Sequence, residues 1–470
     1  MRRSMGAYVP MIGGPIVNTR TTLIKGGYVL SLDPAFGDMP HADVLIEGDT
    51  ITAIGHDLSA GAHANIIDAR HRIVMPGFVD THRHTWQTPV RGVLPSCTLD
   101  QYFSGMLNNI GMQYRAEDVY IANLMGALEA LNAGITTLLD WSHVNNTPEH
   151  ADAAIAGLTE SGIRAVYAHG VPVGADWWAN SSREHPEDIR RIRKTYFQSE
   201  DQLLTLAMAA RAPGNTTPEV ATHDWKLARD LGIRISVHVG MRLTGVHVNH
   251  VLQLNQLGLM GPDTTYIHCT DSTDEELDLI AKTGGSASVA PFVEMLMGHG
   301  VPPTGRLVAR GVRPSLSIDV VSSVPGEMFT QMRTALVQER ILAFTDTPDD
   351  AFAPTLTHRD VLEFATVVGA QACALDHKIG TITPGKQADI VLLRTDQVNV
   401  APIVDAVATV VISADTSNID TVFVGGRIVK HNGLLVRVDL PSLLRRLNDA
   451  RDHLLSNAGV IPQWVLSRRD

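Results

Sequence analysis

Two histidines separated by one residue end an apolar, β-branched stretch of the chain. The stretch covers residues 74–84 and ends in His82, Arg83 and His84. On a β-strand, residues i and i+2 point to the same face, so the two imidazoles would be directed to one point and Arg83 to the other side. Such a pair is typical of zinc-type metal sites, although a bare His-x-His also occurs by chance or as a surface pair.

Three further residues with ligand or acid–base chemistry lie on separate strand-like stretches. His238 is on one of them, and His268 and Asp319 end two others. Three imidazoles and a carboxylate could bind a divalent metal ion and leave a position for water, whose pKa the ion could lower to about 7. Each histidine alone could be a core or loop residue, and Asp319 could cap a helix. The shared position at strand ends favours a site.

Strand and helix patterns alternate between residues 75 and 375. The predicted strands are the one carrying His82, then 135–140, 164–168, 204–209, 233–239, 264–268, 286–290 and 313–319. The predicted helices include 116–132, 151–159, one from Thr217 to about Gly232, and one that a Ser272–Glu275 capping box opens. Eight βα units predict an α/β fold with a (β/α)8 TIM-type barrel, whose active site lies at the C-terminal strand ends. The fourth strand has no lysine for a bridging carbamate, which favours one metal over two.

The two ends of the chain resemble each other and differ from the middle. Short strands with Gly-rich turns are predicted within 22–73, and strands again at 389–393, 409–412 and 421–424. We therefore predict a small discontinuous β-sandwich domain, a barrel domain and a helical tail. Their bounds are 1–74 plus 376–440, 75–375, and 441–470 with a helix at 445–455. Residues 1–20 are predicted to be a loose arm.

The composition excludes several classes of protein. Hydrophobic residues make up 44% and charged residues 19% of the 470 residues, and the net charge is −12, so we expect a large core and no nucleic-acid partner. Three cysteines without a Cys-x-x-Cys pair argue against a disulfide scaffold or a cysteine-built zinc site. No signal-peptide core and no membrane-length apolar run is present, so we expect a cytoplasmic protein without a membrane partner.

The motif PGFVDTHRH at 76–84, followed by QTPVRG at 87–92, resembles the opening motif of the amidohydrolase superfamily. More narrowly it is similar to the cytosine deaminase-like branch, which includes triazine chlorohydrolases and adenosylhomocysteine or methylthioadenosine deaminases. The segment IGTITPGKQADIV at 379–391 resembles the return of that family into its sheet domain. The resemblance extends from about residue 22 to residue 435.

This resemblance implies one divalent metal ion per chain, with zinc expected first and iron as the alternative. The implied ligands are His82, His84, His238 and Asp319, and the implied catalytic residues are His268 and Asp319. The expected reaction is attack of metal-activated water on an unsaturated carbon of a heterocyclic or amide-like small molecule, which releases amine or ammonia. A carbon–nitrogen bond other than a peptide bond would be broken. We also expect a homo-oligomer, either a dimer or a tetramer.

Two positions depart from the pattern of the branch. A proton-shuttling glutamate usually stands three residues after the fifth-strand histidine, and here that position is Met241, whose thioether cannot carry a proton. A Pro-x-Ser-Asn motif often follows strand seven, and here 291–300 contains Glu294 and His299 instead. These two could supply acid–base function or bind substrate, or they could be a solvated glutamate and a loop-packing histidine.

The departures leave two alternatives to deamination. One is a related metal-dependent step without ring protonation, such as dehalogenation or a specialised secondary-metabolite reaction. The other is a barrel without catalysis that serves as a binding or structural protein.

Further candidates for the pocket wall follow the first three predicted strands. Trp86, Gln87, Trp141 and His143 come after strands one and two and could contact substrate. The paired tryptophans 177–178 lie in a long segment that could cover an aromatic or heterocyclic substrate, or could simply anchor the loop.

Overall fold

A computed structural model describes residues 21–241, 248–346 and 356–461 of the chain. It contains an eight-stranded parallel sheet and a separate nine-stranded mixed sheet. Within the described ranges, none of the helices combines the length and apolar character needed to cross a membrane. The predicted loose arm, residues 1–20, lies outside these ranges.

The strands are, in chain order, β1 (Thr21–Leu30), β2 (Asp38–Glu47), β3 (Thr50–Gly55), β4 (Asn65–Asp68), β5 (Arg72–Pro76), β6 (Phe78–Arg83), β7 (Ile135–Ser142), β8 (Arg164–His169), β9 (Leu204–Ala210), β10 (Arg234–Val239), β11 (Thr264–His268), β12 (Ser286–Val289), β13 (Ser315–Leu316), β14 (Ile390–Arg394), β15 (Ile419–Val424), β16 (Arg427–His431) and β17 (Leu434–Leu435).

The α-helices are α1 (Leu99–Tyr102), α2 (Ala116–Asn132), α3 (Pro148–Ser161), α4 (Ala175–Trp178), α5 (Asp188–Tyr196), α6 (Pro218–Asp230), α7 (His250–Gln256), α8 (Asp274–Thr283), α9 (Pro291–Leu296), α10 (Thr304–Val308), α11 (Met328–Asp346), α12 (His358–Phe364), α13 (Val367–Ala372), α14 (Ala406–Ala408) and α15 (Leu440–Asn457). Short 3-10 or π turns are Thr85–Val90, Phe103–Leu107, Ile110–Gln113, Thr409–Ser413 and Thr416–Asn418.

The parallel sheet follows chain order from β6 to β13 and closes on itself. The closure joins β6 to the segment after β13: the Asp319 N–H donates to the His82 carbonyl at 2.9 Å, and the His84 N–H donates to the Asp319 carbonyl at 2.8 Å. Helices separate most of the strands, so the predicted (β/α)8 barrel is confirmed.

The second sheet is built from both ends of the chain, as predicted. Its strand order is β17-β16-β15-β14-β5-β1-β2-β3, with β4 paired to β1, and hydrogen bonds join all nine strands. It has its own apolar core, which includes Ile24, Val74, Leu392 and Phe423. The central pairing of β5 with β14 joins the two ends of the chain, and Pro76 pairs there with Ile390.

Most predicted elements are observed, and three details are corrected. The predicted strand 409–412 is wrong: α14 and a π turn occupy this region, because the Asp405 carboxylate caps the Ala408 N–H at 2.8 Å and begins a helix. The last barrel strand is only β13, because the backbone turns out of the ladder before Asp319, where φ is +68°. The capping box of α8 is formed by Thr273 and Glu276, one residue later than predicted.

A buried ion pair connects the barrel to the second sheet. Arg164 on β8 donates from Nε and Nη2 to the two carboxylate oxygens of Asp389, at 2.7 and 3.0 Å. Both side chains are almost fully buried. The bidentate geometry satisfies both charges where water cannot reach them.

Arg164→Ala should lower the free energy of unfolding by about 3–5 kcal/mol, because it leaves the Asp389 carboxylate buried without its cation. The matched control is Arg394→Ala, whose partner Asp396 and whose own side chain are 38% and 39% exposed. That change should have little effect on stability, because an exposed ion pair contributes little. Urea-unfolding midpoints of the two variants measure the difference, and equal midpoints would contradict the assignment.

Candidate metal centre

The predicted histidines and the aspartate converge at the C-terminal ends of the barrel strands. Nε2 of His82 and Nε2 of His84 are each 3.3 Å from Oδ1 of Asp319. Nε2 of His238 is 3.1 Å from Nε2 of His82. Ligand atoms at about 2.0–2.1 Å around a tetrahedral zinc ion lie about 3.3 Å apart, and these three distances are close to that spacing. Two overlapping sets of ligand atoms each lie within 4.8 Å of one another, those of His82, His84 and Asp319 and those of His82, His238 and His268.

Protonation states in the cluster also suit a metal ion. Burial lowers the pKa of His84 to about 3 and lowers the pKa values of His82 and His238, so all three imidazoles are neutral. Burial alone would raise the pKa of Asp319, but its hydrogen bond with His82 and the neighbouring histidines hold it below its usual range. Neutral imidazoles and an ionised carboxylate are the forms that bind divalent ions.

The orientation of His84 is fixed from behind by Trp141. Nδ1 of His84 lies 2.8 Å from the Trp141 carbonyl, which can only accept, so Nδ1 carries the proton and the lone pair of Nε2 faces Asp319. The indole of Trp141 packs against His238, with ring centroids 4.3 Å apart. Trp141 therefore holds two members of the cluster in place.

Arg83 points away from the cluster, as the strand periodicity predicts. Its Nη2 is 2.6 Å from the Glu129 carboxylate of α2, and its Nη1 is 3.5 Å from Asp80. Asp80 in turn accepts the Ile318 N–H at 3.1 Å. Burial raises the pKa of Asp80 to about 6, and the guanidinium of Arg83 opposes that shift. These contacts fix the strand that presents the two histidines.

The backbone is strained where two of the site-bearing segments end. The φ angles of His268, Cys269 and Asp319 are +73°, +56° and +68°. Left-handed conformations of residues other than glycine each cost on the order of 1–3 kcal/mol and are concentrated at functional sites. Here they end the β-ladder at residues that carry the cluster.

His268 faces the cluster on one side and Glu294 on the other. Its Nδ1 is 3.0 Å from Oε1 of Glu294, and its Nε2 is 3.9 Å from Oδ2 of Asp319. Oε1 of Glu294 also accepts the Ala290 N–H at 2.7 Å. Glu294 is fully buried, so the alternative of a solvated glutamate is wrong.

A cavity opens above the cluster and is mostly apolar. Its apolar wall includes Leu99, Phe103, Leu107, Trp178 and Met297. The polar side chains on its wall include Tyr102, His143, Asn215, His250 and His299. Among the lining residues that the structure describes, none is a lysine or an arginine. A mostly apolar wall with a few polar groups is typical of binding sites for small organic molecules.

The expected pocket residues fall into two groups. His143 and His299 line the cavity. Trp86, Gln87, Trp141 and Glu294 lie behind its wall and contact the residues that form it. Gln87, for example, donates to the Tyr102 hydroxyl and accepts from the Ser322 hydroxyl.

Sequence reasoning missed several lining residues, among them Tyr102, Phe103, Asn215 and His250. They come from short helices and from loops that carry no strand or motif signal. Of the paired tryptophans, Trp178 lines the cavity, and Trp177 packs instead against the guanidinium of Arg211 at 5.6 Å.

A parallel α/β barrel with a cluster of histidines and an aspartate at its C-terminal face defines a metal-dependent hydrolase. The chain belongs to the Amidohydrolase family, whose model matches residues 73–429. It is a hydrolase that acts on carbon–nitrogen bonds other than peptide bonds, on a small-molecule substrate.

Similar proteins include a 5'-deoxyadenosine deaminase of Methanosarcina barkeri, 26% identical over 444 residues, which are 92% of this chain and 98% of the relative. An adenosine deaminase of Xanthomonas campestris with bound zinc has a TM-score of 0.80 at 23% identity, covering 93% of this chain and 98% of that one. The atrazine chlorohydrolase of Arthrobacter aurescens TC1 in complex with zinc has a TM-score of 0.79 at 21% identity, covering 92% and 100%. The two structures show the shared fold.

Glu294→Gln should lower kcat by about 10- to 100-fold with little change in KM, because the neutral amide no longer fixes the His268 tautomer by charge. Glu363→Gln is the control, since Glu363 pairs with Arg313 on the exterior. Steady-state kinetics on metal-loaded protein measure both variants. An unchanged kcat in Glu294→Gln would show that His268 does not depend on the carboxylate.

Proposed function

We propose that this protein is a zinc-dependent deaminase of adenine-type nucleosides. The observation that carries the proposal is the convergence of His82, His84, His238 and Asp319 beneath an apolar cavity. The relative from Methanosarcina barkeri carries the name of a 5'-deoxyadenosine deaminase, which supports the substrate class. The expected cytoplasmic location and homo-oligomeric state stay predictions.

In this proposal the four residues hold one zinc ion per chain. Two of the solved structures that are similar to this chain contain zinc, and the ligand set of imidazoles and one carboxylate suits zinc better than magnesium or calcium. When bound, the ion would lower the pKa of water to about 7 and so supply a nucleophile at neutral pH.

Asp319 and His268 would then carry out the proton transfer and the hydrogen bonding to the attacking water. Asp319, ionised at neutral pH, accepts a proton from the attacking water. His268 lies between Asp319 and Glu294, so its Nε2 can hydrogen-bond to the attacking oxygen while Nδ1 stays bonded to Glu294. A carbon–oxygen bond forms at the ring carbon, Asp319 passes the proton it accepted to the amino group, and the bond to that group breaks so that ammonia leaves.

The cavity wall positions the ring. Trp178 and Phe103 offer flat apolar surfaces on which a heterocycle can stack. His143 lines the same cavity and stacks on His84, with ring centroids 4.2 Å apart. Exclusion of water by these side chains strengthens each polar contact to the substrate.

Metal content and activity test the proposal together. Protein purified without added metal should contain about one zinc per chain, and His238→Ala should lose it, because three ligands bind more weakly than four. His63→Ala, at an exposed histidine, should keep the metal. Ammonia release from 5'-deoxyadenosine, adenosine and S-adenosylhomocysteine should disappear with a chelator and return with zinc. A folded protein that binds no added metal, or a loaded protein that releases no ammonia, would contradict the proposal.

A second candidate function is hydrolysis of a leaving group that needs no ring protonation, such as a halide. The observation that favours it is Met241, which lines the cavity three residues after His238 and cannot transfer a proton. A panel of halo- and amino-heterocycles, assayed for halide and ammonia, separates the two functions.

Met241→Glu should raise the rate of ammonia release at least about tenfold, since it adds a proton donor beside the cavity. Met241→Gln is the matched control of similar size and should leave the rate near that of the wild type. The kcat for ammonia release is measured for both variants and for the wild type. Equal rates in both variants would show that ring protonation does not limit the reaction.

A further inference from the structure

His299 is a buried histidine on the wall of the cavity. Its side chain is 1% exposed, and neither Nδ1 nor Nε2 makes a hydrogen bond among the residues that the structure describes. Leaving buried polar atoms without hydrogen-bond partners destabilises a folded protein. Because the ring lies on the cavity wall, a ligand in the cavity could supply the partner.

The loop around His299 holds the residue firmly. The His299 N–H donates to the Glu294 carbonyl at 2.8 Å, and the Thr270 hydroxyl donates to the His299 carbonyl at 2.8 Å. Gly298 and Gly300 flank it with φ angles of +75° and +137°, and the second conformation is essentially restricted to glycine. The backbone contacts thus fix the position of His299, while its ring nitrogens have no hydrogen-bond partner in the described part of the chain.

The surroundings of the ring determine its chemical form. His268 meets it edge to face, with ring centroids 4.9 Å apart. Burial, reinforced by His268, lowers the pKa of His299 to about 3. The imidazole is therefore neutral and offers one N–H donor and one nitrogen acceptor.

Three other residues of the wall, Met241, Asn215 and His143, are less suited than His299 to form a hydrogen bond with a substrate ring. Met241 offers only a weakly accepting thioether. The amide of Asn215 donates to the Trp178 carbonyl at 3.1 Å. Nδ1 of His143 is also buried without a hydrogen bond among the described residues, but the ring lies stacked on His84 at an interplanar angle of 24°, beside the metal cluster. Both ring nitrogens of His299 are buried without a hydrogen bond among the described residues, so this wall residue can donate to a polar atom on the rim of a substrate ring.

We propose that His299 hydrogen-bonds the ring nitrogen adjacent to the carbon that water attacks. This inference rests on the proposed function and defines its substrate class. The substrate is a heteroaromatic amine in which a hydrogen-bond-accepting ring nitrogen is bonded to the carbon that carries the amino group, as N1 is bonded to C6 in adenine. As the carbon–oxygen bond forms, an electron pair moves onto that nitrogen. The N–H of His299 stabilises the developing charge without giving up its proton.

The first test is independent of the substrate. His299→Phe keeps a flat ring but removes two unpaired polar atoms, so its melting temperature should equal or exceed that of the wild type. His150→Phe is the matched control, because both ring nitrogens of this buried histidine are bonded, to Thr147 and to the Tyr114 carbonyl, at 2.9 Å each. The control should melt at least about 2 °C lower. A similar decrease in His299→Phe would assign His299 a structural role and overturn the proposal.

The second test uses analogues of 5'-deoxyadenosine in which CH replaces N1 or N7. Zinc-loaded wild type should bind the 7-deaza analogue about tenfold more tightly than the 1-deaza analogue. His299→Phe should bind both equally. A preference that survives in the variant, or that is absent in the wild type, would overturn the proposal. If the wild type binds neither analogue, the proposed function fails for adenine nucleosides, and the melting temperatures still decide whether His299 serves a ligand.

Discussion

The structure depends on the double hydrogen bond between the Asp319 backbone and the residues of the His-x-His pair. It joins the first strand of the barrel to the segment that follows the eighth, where the regular ladder is only two residues long. The same residue directs its carboxylate at His82 and His84. Barrel closure and assembly of the candidate metal centre are therefore one event, and displacement of Asp319 would open both.

The charge balance of the centre follows from this closure. One ionised carboxylate lies among neutral imidazoles in a place that water scarcely reaches. Burial opposes protonation of the histidines, and the histidines oppose protonation of Asp319. A divalent ion complements such a set, because it can bind the free lone pairs of the neutral imidazoles and of the carboxylate. The left-handed backbone at His268 and Asp319 is strain that the surrounding barrel sustains.

Local patterns in the sequence predicted the barrel, the sheet from both ends and the convergence of the cluster. The strand period placed His82 and His84 on one side, and barrel topology brought distant strand ends together. The failures have physical causes. The β-branched run at 409–412 folds as helix because a capping aspartate and tertiary packing outweigh strand propensity. Cavity residues such as Tyr102 and Asn215 come from a four-residue helix and a turn, which are too short to show a hydrophobic period in the sequence.

The pairing of β5 with β14 has a consequence for synthesis of the chain. Pro76 on β5 lies next to the first barrel strand, but its partner Ile390 leaves the ribosome only after the whole barrel sequence. Until then one edge of β5 is unpaired, and an open strand edge is a template for association with other chains. The pairing that holds β5, the strand next to the His-x-His strand, can therefore form only after the whole barrel sequence has been synthesised.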